Sequence, residues 1–123
     1  FRIIDLDSKE TLTAKYTLFN DKAFILSNHQ LQNKRGRDYV EEAMKLEKGD
    51  FYLSDMNLNV ENNEIQKPYI PVIRYSTPIV DKNLQTKAIF VSTVYAKNIL
   101  KILSNMATRD KDKSINYYLL DEE

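Results

Sequence analysis

The chain has 123 residues, of which 42% are hydrophobic and 29% charged, so it is long enough for one globular domain with its own core. Lys and Arg together number 18, as do Asp and Glu, which leaves a formal net charge of zero. This balance gives no electrostatic footprint for nucleic acid or an anionic membrane surface, so we expect no nucleic-acid partner. Because the chain contains no cysteine, disulfides and thiolate metal sites are excluded.

The first third of the chain predicts a β-hairpin followed by less regular structure. β-forming residues predict a strand over residues 1–5, and alternation of apolar and polar side chains predicts a second strand over residues 11–18. Residues 23–33 combine an apolar run with a polar one, and we interpret them as a loop with a short helical turn.

The middle of the chain predicts a helix, a short strand and a long structured loop. Residues 37–47 are predicted to be helical, because an apolar face opposes a charged one. Asp38 suits the first helical turn, and Gly49 can end the helix. A short strand is predicted for residues 51–54. The polar residues 55–67 then form a loop with a few apolar anchors.

Two strands and a helix are predicted for the last third. Residues 72–80 and 86–94 predict strands, and the continuous apolar centre of the second favours a central position buried on both faces. Residues 96–108 predict an amphipathic helix. A charged linker over residues 109–114 leads to a further predicted strand over residues 115–120. Strands joined by hairpins, with helices between them, predict an α+β domain built on an antiparallel sheet.

The sequence contains no catalytic constellation, so we expect no enzyme activity in this chain. His29 is the only histidine and lies in a polar stretch without the partners that a Ser-His-Asp triad requires. Two glycines in the whole chain are too few for a phosphate-binding loop. Oxygen donors after Asp55 are spaced as in a calcium loop, but Val60 and Gln66 stand where its glycine and glutamate belong. We therefore expect neither a metal nor a cofactor.

Arg74 is the most informative polar residue, because it lies inside the apolar run Val72-Ile73-Arg74-Tyr75. An arginine there either points to solvent on the alternate face of the strand or enters a cavity. In a cavity it can bind a carboxylate through two parallel hydrogen bonds. Arg37 and Tyr39, at the start of the predicted helix, can face the same cavity.

A series of short motifs follows a fixed order through the chain. They are Leu31-Gln32-Asn33-Lys34, Arg37-Asp38-Tyr39-Val40, Ala43, Gly49, Tyr52-Leu53-Ser54, Leu58-Asn59, Pro68 to Pro71, Ile73-Arg74 with Pro78, and Ala88 to Thr93. In order and spacing this series resembles the PAS-like Cache family. Within that family it is most similar to the double-Cache sensor domains of bacterial histidine kinases, diguanylate cyclases and chemoreceptors. The resemblance covers residues 1–105.

The resemblance implies a fold and a function. The fold would be a PAS-like five-stranded antiparallel sheet flanked by helices. The function would be periplasmic sensing of a small anionic molecule by a signalling protein anchored in the inner membrane, with any kinase, cyclase or chemoreceptor output carried by other domains. The implied ligand-binding residues are two arginines as carboxylate clamps, two tyrosines as walls and two polar residues that fix the ligand: Arg37, Arg74, Tyr39, Tyr52, Ser54 and Asp55.

The resemblance also implies a domain organisation. Residues 1–108 would be a sensor module distal to the membrane, and residues 109–123 would be a linker and the start of a second module of the same kind. One departure bears on the ligand. The amino-acid-binding members carry an arginine followed by a Trp-Tyr pair, whereas Asp38-Tyr39 stands here and the chain has no tryptophan. This departure argues against an amino acid as the ligand.

Two alternatives to ligand sensing remain open from the sequence. In the first, the domain binds no small molecule and is an interaction module, either in a homodimer or as a docking site for a periplasmic binding protein. In the second, it is a PAS-type cofactor domain. Haem would then require an axial ligand such as His29, and a flavin adduct would require a cysteine, which the chain lacks.

Overall fold

The structure, a computed structural model, describes residues 1–17 and 21–109. The linker predicted from residue 110 onward and the strand predicted at residues 115–120 lie outside the described residues, as does the end of the predicted second strand. The described chain forms two compact units. Among the described residues, the first unit comprises Phe1–Ser54 and Arg74–Val94, and the second comprises Asp55–Ile73 and residues 95–109.

The described residues form nine strands and two α-helices. In chain order the strands are β1 (Arg2–Asp5), β2 (Glu10–Thr17), β3 (Lys22–Ile25), β4 (Tyr52–Leu53), β5 (Asn57–Leu58), β6 (Val60–Glu61), β7 (Glu64–Ile65), β8 (Pro71–Val80) and β9 (Thr86–Tyr95), and the helices are α1 (Asp38–Glu41) and α2 (Lys97–Arg109). The main sheet has the order β3-β2-β1-β9-β8-β4, and β5 also pairs with β8. The pairs β1–β2, β1–β9, β2–β3, β4–β8 and β5–β8 are antiparallel.

The prediction of an α+β fold with an antiparallel sheet is confirmed. Within the described residues the main sheet has seven strands, not the five expected. One of the additional strands is β3, in the segment 23–33 whose sequence predicts a loop with a short helical turn, and that turn is present at Asn28–Gln30. β3 pairs with β2, and Ala14 faces Ile25 in the register. The apolar run of β3 is too short for periodicity to separate strand from loop, and all four of its residues are exposed.

One face of the sheet in the first unit is covered and buried. Along β8 the burial alternates, and Arg74, Ser76 and Pro78 lie on the buried side. In the register of β1 with β9, Ile4 pairs with Ile89 and Arg2 with Val91, so these side chains share a face. The core on the covered face contains Ile4, Tyr39, Val40, Ala43, Ile89 and Val91.

The helix predicted over residues 37–47 is wrong in its length. The structure has one helical turn, α1, followed by a separate 3-10 turn at Ala43–Lys45. A hydrogen bond from the sheet interrupts the regular helix, because Ser76 Oγ on β8 donates to the Tyr39 carbonyl at 2.6 Å. The two turns still bury Tyr39 and Ala43, as the predicted apolar face required.

The central position predicted for residues 86–94 is confirmed, because β9 lies between β1 and β8. The predicted burial of both faces of this strand is wrong, since buried and less buried side chains alternate along β9. Ile89 and Val91 are buried, whereas Phe90 between them is only half-buried. The opposite face carries Phe90 stacked on Phe1, with 5.9 Å between ring centroids.

The second unit contains the short strands of the predicted loop and the last helix. Within it, Asn57 pairs with Val72 at the start of β8. β6 and β7 form a hairpin whose turn residues Asn62 and Asn63 both have positive φ, which asparagine tolerates better than most residues. The predicted helix over residues 96–108 is confirmed as α2, and the backbone N–H of Ala96 donates to the Pro71 carbonyl.

Candidate functional site

Arg74 lies on the covered face of the sheet, and its side chain is buried, with 5% of the residue exposed. Two hydrogen bonds join its backbone to Ser54. The Arg74 N–H donates to Ser54 Oγ at 2.9 Å, and the Ser54 N–H donates to the Arg74 carbonyl at 2.8 Å. Of the two directions left open by the sequence, the guanidinium therefore takes the buried one.

The Tyr39 ring lies against the Arg74 guanidinium, with 5.0 Å from the guanidinium carbon to the ring centroid. This is the geometry of a cation–π contact. Burial lowers the pKa of the Arg74 guanidinium and raises the pKa of the Tyr39 hydroxyl. The positive charges of Arg2 and Arg37 act in the opposite sense to burial on the Tyr39 pKa and further lower the Arg74 pKa. The charges of Arg2 and Arg37 thus reach Arg74 within the first unit.

Arg37 and Tyr52 lie at the border of this group. Arg37 is half-buried, and its carbonyl accepts hydrogen bonds from the N–H groups of Val40 and Glu41 at the start of α1. Tyr52, on β4, packs against the core, and its hydroxyl donates to Asp38 Oδ2 at 3.1 Å. The first unit therefore brings together five of the six residues that the resemblance implied, which we call the candidate site: Arg37, Tyr39, Tyr52, Ser54 and Arg74.

Asp55, the sixth implied residue, is the first residue of the second unit and is exposed. Its assignment to ligand binding stays a prediction. No group of three or more His, Cys, Asp or Glu is arranged to hold a metal ion in residues 1–17 and 21–109.

Sequence reasoning did not identify a second group of buried charges, which we call the Glu10 cluster (Arg2, Glu10 and Lys34). Arg2 Nε lies 2.8 Å from Glu10 Oε1, and Lys34 Nζ lies 3.7 Å from the same oxygen. The other carboxylate oxygen accepts the backbone N–H of Gln32 at 3.0 Å. All three residues of the cluster are buried.

The Glu10 cluster is joined to its surroundings by further polar contacts. Lys34 Nζ donates to Gln32 Oε1 at 2.7 Å, and Arg2 Nη1 donates to Thr93 Oγ1 at 3.2 Å. The only sequence signals for the cluster were an arginine in the first strand and the lysine that ends the first motif. Neither signal identifies Glu10 as the shared partner, because the pairing of β1 with β2 brings Arg2 to Glu10 and the return of the chain at residues 32–34 brings Lys34 there.

Cationic side chains are concentrated in the named groups. The candidate site and the Glu10 cluster contain four of them, Arg2, Lys34, Arg37 and Arg74, and both cations of the cluster contact Glu10. Arg2 links the two groups, because it contacts Glu10 and its charge also acts on the pKa values of Tyr39 and Arg74.

Among the described residues, no helix is long and apolar enough to cross a membrane. Two solved structures are similar to this chain. One is a domain of a sensory box/GGDEF family protein from Vibrio parahaemolyticus, with a TM-score of 0.72, 22% identity, and coverage of 82% of this chain and 37% of that chain. The other is the extracellular domain of the histidine kinase vpHK1S-Z8, with a TM-score of 0.71, 21% identity, and coverage of 82% of this chain and 35% of that chain. The chain thus spans little more than a third of either structure, and the likeness establishes the fold.

The family is established by the sequence itself. No curated protein sequence matches this chain significantly. The profile of the family described as "Bacterial histidine kinase, sensor domain" matches residues 1–109, which is most of the chain. As the motif order from residue 31 to residue 93 predicts, the chain belongs to the family of sensor domains of bacterial histidine kinases.

Proposed function

We propose that this sensor domain binds a small anionic metabolite at the candidate site, between the covered face of the sheet and the segment 37–54. The observation that carries the proposal is Arg74, a guanidinium buried on the covered face and stacked on Tyr39. Removing an arginine from water carries a large desolvation cost, and an anion bound in bidentate fashion offsets that cost. The nearby charges of Arg2 and Arg37, which lower the pKa of Arg74, support the same class of ligand.

The residues of the candidate site would have distinct roles. Arg74 would hold the anionic group from the sheet, and Arg37 would approach it from the start of α1. Tyr39 and Tyr52 would form the walls and supply hydroxyl groups, while Ser54 would fix the position of the Arg74 backbone.

Ligand binding would act on the segment that covers the sheet. Residues 37–48 lie between Gly36 and Gly49, whose φ angles are +76° and +96°. Glycine adopts these angles at low cost, so both ends of the segment have turns suited to a change of backbone direction. A ligand that bound one arrangement of this segment more tightly would shift the population toward it. The membrane-anchored parent protein would receive that shift.

Thermal unfolding in the presence of a metabolite library tests the proposal. Anionic ligands should raise the melting temperature, and Arg74→Ala and Arg37→Ala should each weaken their binding by about tenfold or more, as expected for the loss of a charge-assisted hydrogen bond. Arg35→Ala is the matched control, because Arg35 is exposed and adjacent to the same segment. Hits that keep full affinity in both site variants would exclude this site.

A second candidate function, an interaction module, is favoured by the aromatic side chains on the opposite face of the sheet. Phe1 is 53% exposed and stacks on Phe90, and Phe51 is 57% exposed and stacks on Tyr75 with 5.1 Å between ring centroids. Leu53, which pairs with Tyr75, is 58% exposed. Exposed apolar patches of this kind mark interaction surfaces. The partner would be a second copy of the chain or a periplasmic binding protein.

A further inference from the structure

We propose that Glu10 is an internal counter-ion of the candidate site and limits how much negative charge a ligand can bring to it. The inference rests on the proposed function, because it concerns the same anion-binding site. It adds a specificity-determining residue that belongs to the Glu10 cluster and not to the implied ligand-binding set. Replacing the carboxylate with a neutral amide should therefore increase the affinity for multiply charged anions.

The contacts of Glu10 are those of a bound carboxylate. One oxygen lies 2.8 Å from Arg2 Nε and 3.7 Å from Lys34 Nζ, and the other accepts the Gln32 N–H at 3.0 Å. An arginine, a lysine and a backbone amide are the donors that proteins use for free carboxylates and phosphates. The protein's own side chain thus occupies a set of anion-binding donors.

The Glu10 cluster lies on the same face of the sheet as the candidate site. The side chain of Arg2 shares the covered face with Val91, and Arg74 also lies on the covered face, on β8. The charge of Arg2 acts on the pKa values of both Tyr39 and Arg74, and the charge of Glu10 acts on that of Tyr39. The carboxylate therefore lowers the positive potential that a ligand would meet beside Tyr39.

Glu10→Gln isolates this effect. Glutamine has nearly the same shape, and its amide oxygen can still accept the Gln32 N–H, whereas the negative charge beside Arg2 and Lys34 is lost. Removing one negative charge from a poorly solvated site strengthens its attraction for an incoming anion. The variant should also be less stable without anions, because breaking a buried ion pair leaves charges uncompensated.

The experiment uses inorganic phosphate as the probe and follows the melting temperature of the whole chain. Sodium chloride at equal ionic strength serves as the reference for general salt effects. Glu10→Gln should reach half of its phosphate-induced stabilisation at a concentration at least about tenfold below that of the unaltered protein. Glu47→Gln, which removes an exposed glutamate, is the matched control and should behave as the unaltered protein does. A Glu10→Gln response no greater than that of the control overturns the proposal.

Two further measurements keep the test decisive. If Glu10→Gln is unfolded in chloride, phosphate should refold it, and failure to refold at any phosphate concentration counts against the proposal. In the double variant Glu10→Gln/Arg74→Ala, the gain in phosphate affinity should disappear. A gain that persists there would locate the phosphate away from the candidate site and overturn the proposal.

The proposed function can fail separately from this inference. Metabolite hits that depend on Arg74, together with no gain in Glu10→Gln, leave the sensing function standing and remove Glu10 from it. A gain in Glu10→Gln that depends on Arg74, without any metabolite that binds the unaltered protein, supports the counter-ion and removes the proposed function.

Discussion

Arg74 shows how this domain holds a buried charge in place. Its backbone is bonded to Ser54 in both directions, and its guanidinium rests on the Tyr39 ring. Tyr39 is held in turn through its backbone, because Ser76 Oγ donates to its carbonyl from the next buried position of β8. Arg74 and Ser76, two buried positions of β8, thus both contact Tyr39, the first at its ring and the second at its carbonyl.

The Ser76 hydrogen bond should contribute measurably to stability. Ser76→Ala removes the donor to a buried carbonyl, so we expect the free energy of unfolding to fall by about 1–2 kcal/mol. Urea denaturation followed by circular dichroism measures this loss. Thr77→Val is the matched comparison, because Thr77 Oγ1 donates to the Asp50 carbonyl on the exposed side of the same strand and should cost less. Equal losses in the two variants would contradict this account.

Single residues were predictable from the sequence where their neighbours along the chain made them unusual. Arg74 was identifiable because it interrupts an apolar run, although its direction was not. Glu10 was not identifiable, because its partners Arg2 and Lys34 meet it only through strand pairing and the return of the chain at residues 32–34. Contacts between residues that are distant in sequence produce no periodic pattern in the sequence around either residue.

Secondary-structure elements were predictable where they are long and regular. The strands β8 and β9 and the helix α2 match their predicted ranges closely. α1 does not, because a bond from the sheet to the Tyr39 carbonyl and an extended backbone at Leu46 confine helical structure to two short turns. Tertiary contacts of this kind override helix propensity, which is a weak preference.

The stability of the β8–β9 hairpin should depend on pH, because Asp81 lies in its turn. Asp81 Oδ1 accepts the N–H groups of Asn83 and Gln85, at 2.8 Å and 3.0 Å, and Lys87 Nζ lies 3.3 Å from Asp81 Oδ2. The hydrogen bond from the Gln85 N–H is the largest cause that lowers the pKa of Asp81, with smaller contributions from Asn83 and Lys87. The carboxylate form is therefore the one that the folded turn prefers.

Acid should remove this stabilisation. Because the pKa of Asp81 is lower in the folded protein than its ordinary value of 3.8, the stabilisation is complete above pH 3.8 and is lost as the pH falls through the folded value. Asp81→Asn should lower the melting temperature at pH 7, and the difference from the unaltered protein should shrink as the pH falls below 3.8. Asp7→Asn controls for the change in net charge. A difference that is independent of pH would show that the carboxylate charge is not what stabilises the turn.

For the molecule as a whole, the two faces of the sheet in the first unit differ in character. One is covered by α1 and the 3-10 turn and contains the charged groups, and the other carries half-exposed aromatic and aliphatic side chains. The sequence predicted the α+β class. The order of its motifs predicted a sensor domain, and the family match confirms that role. The sequence did not predict the asymmetry of β9, because a continuous apolar run looks the same whether one face or both are covered.

If two copies of the chain pair through the opposite face of the sheet, Leu53 lies on the contact surface. Sedimentation velocity over a range of protein concentrations should then reveal a dimer, and Leu53→Asp should weaken it by about tenfold or more, because a buried leucine contributes about 1.5–3 kcal/mol. Leu84→Asp is the control, since Leu84 is also exposed but lies in the turn between β8 and β9. A chain that stays monomeric at every concentration would leave a different protein as the partner of this face.

Tyr39 connects the covering segment to the sheet through two different parts of one residue, its ring on Arg74 and its carbonyl on Ser76. The segment cannot move away from the sheet without breaking both contacts at once. Under the proposed function, a ligand enclosed beneath the segment would leave only after that joint rupture. The residence time of the ligand would then be set by how often the segment opens, so chemically different ligands should dissociate at similar rates even where their affinities differ.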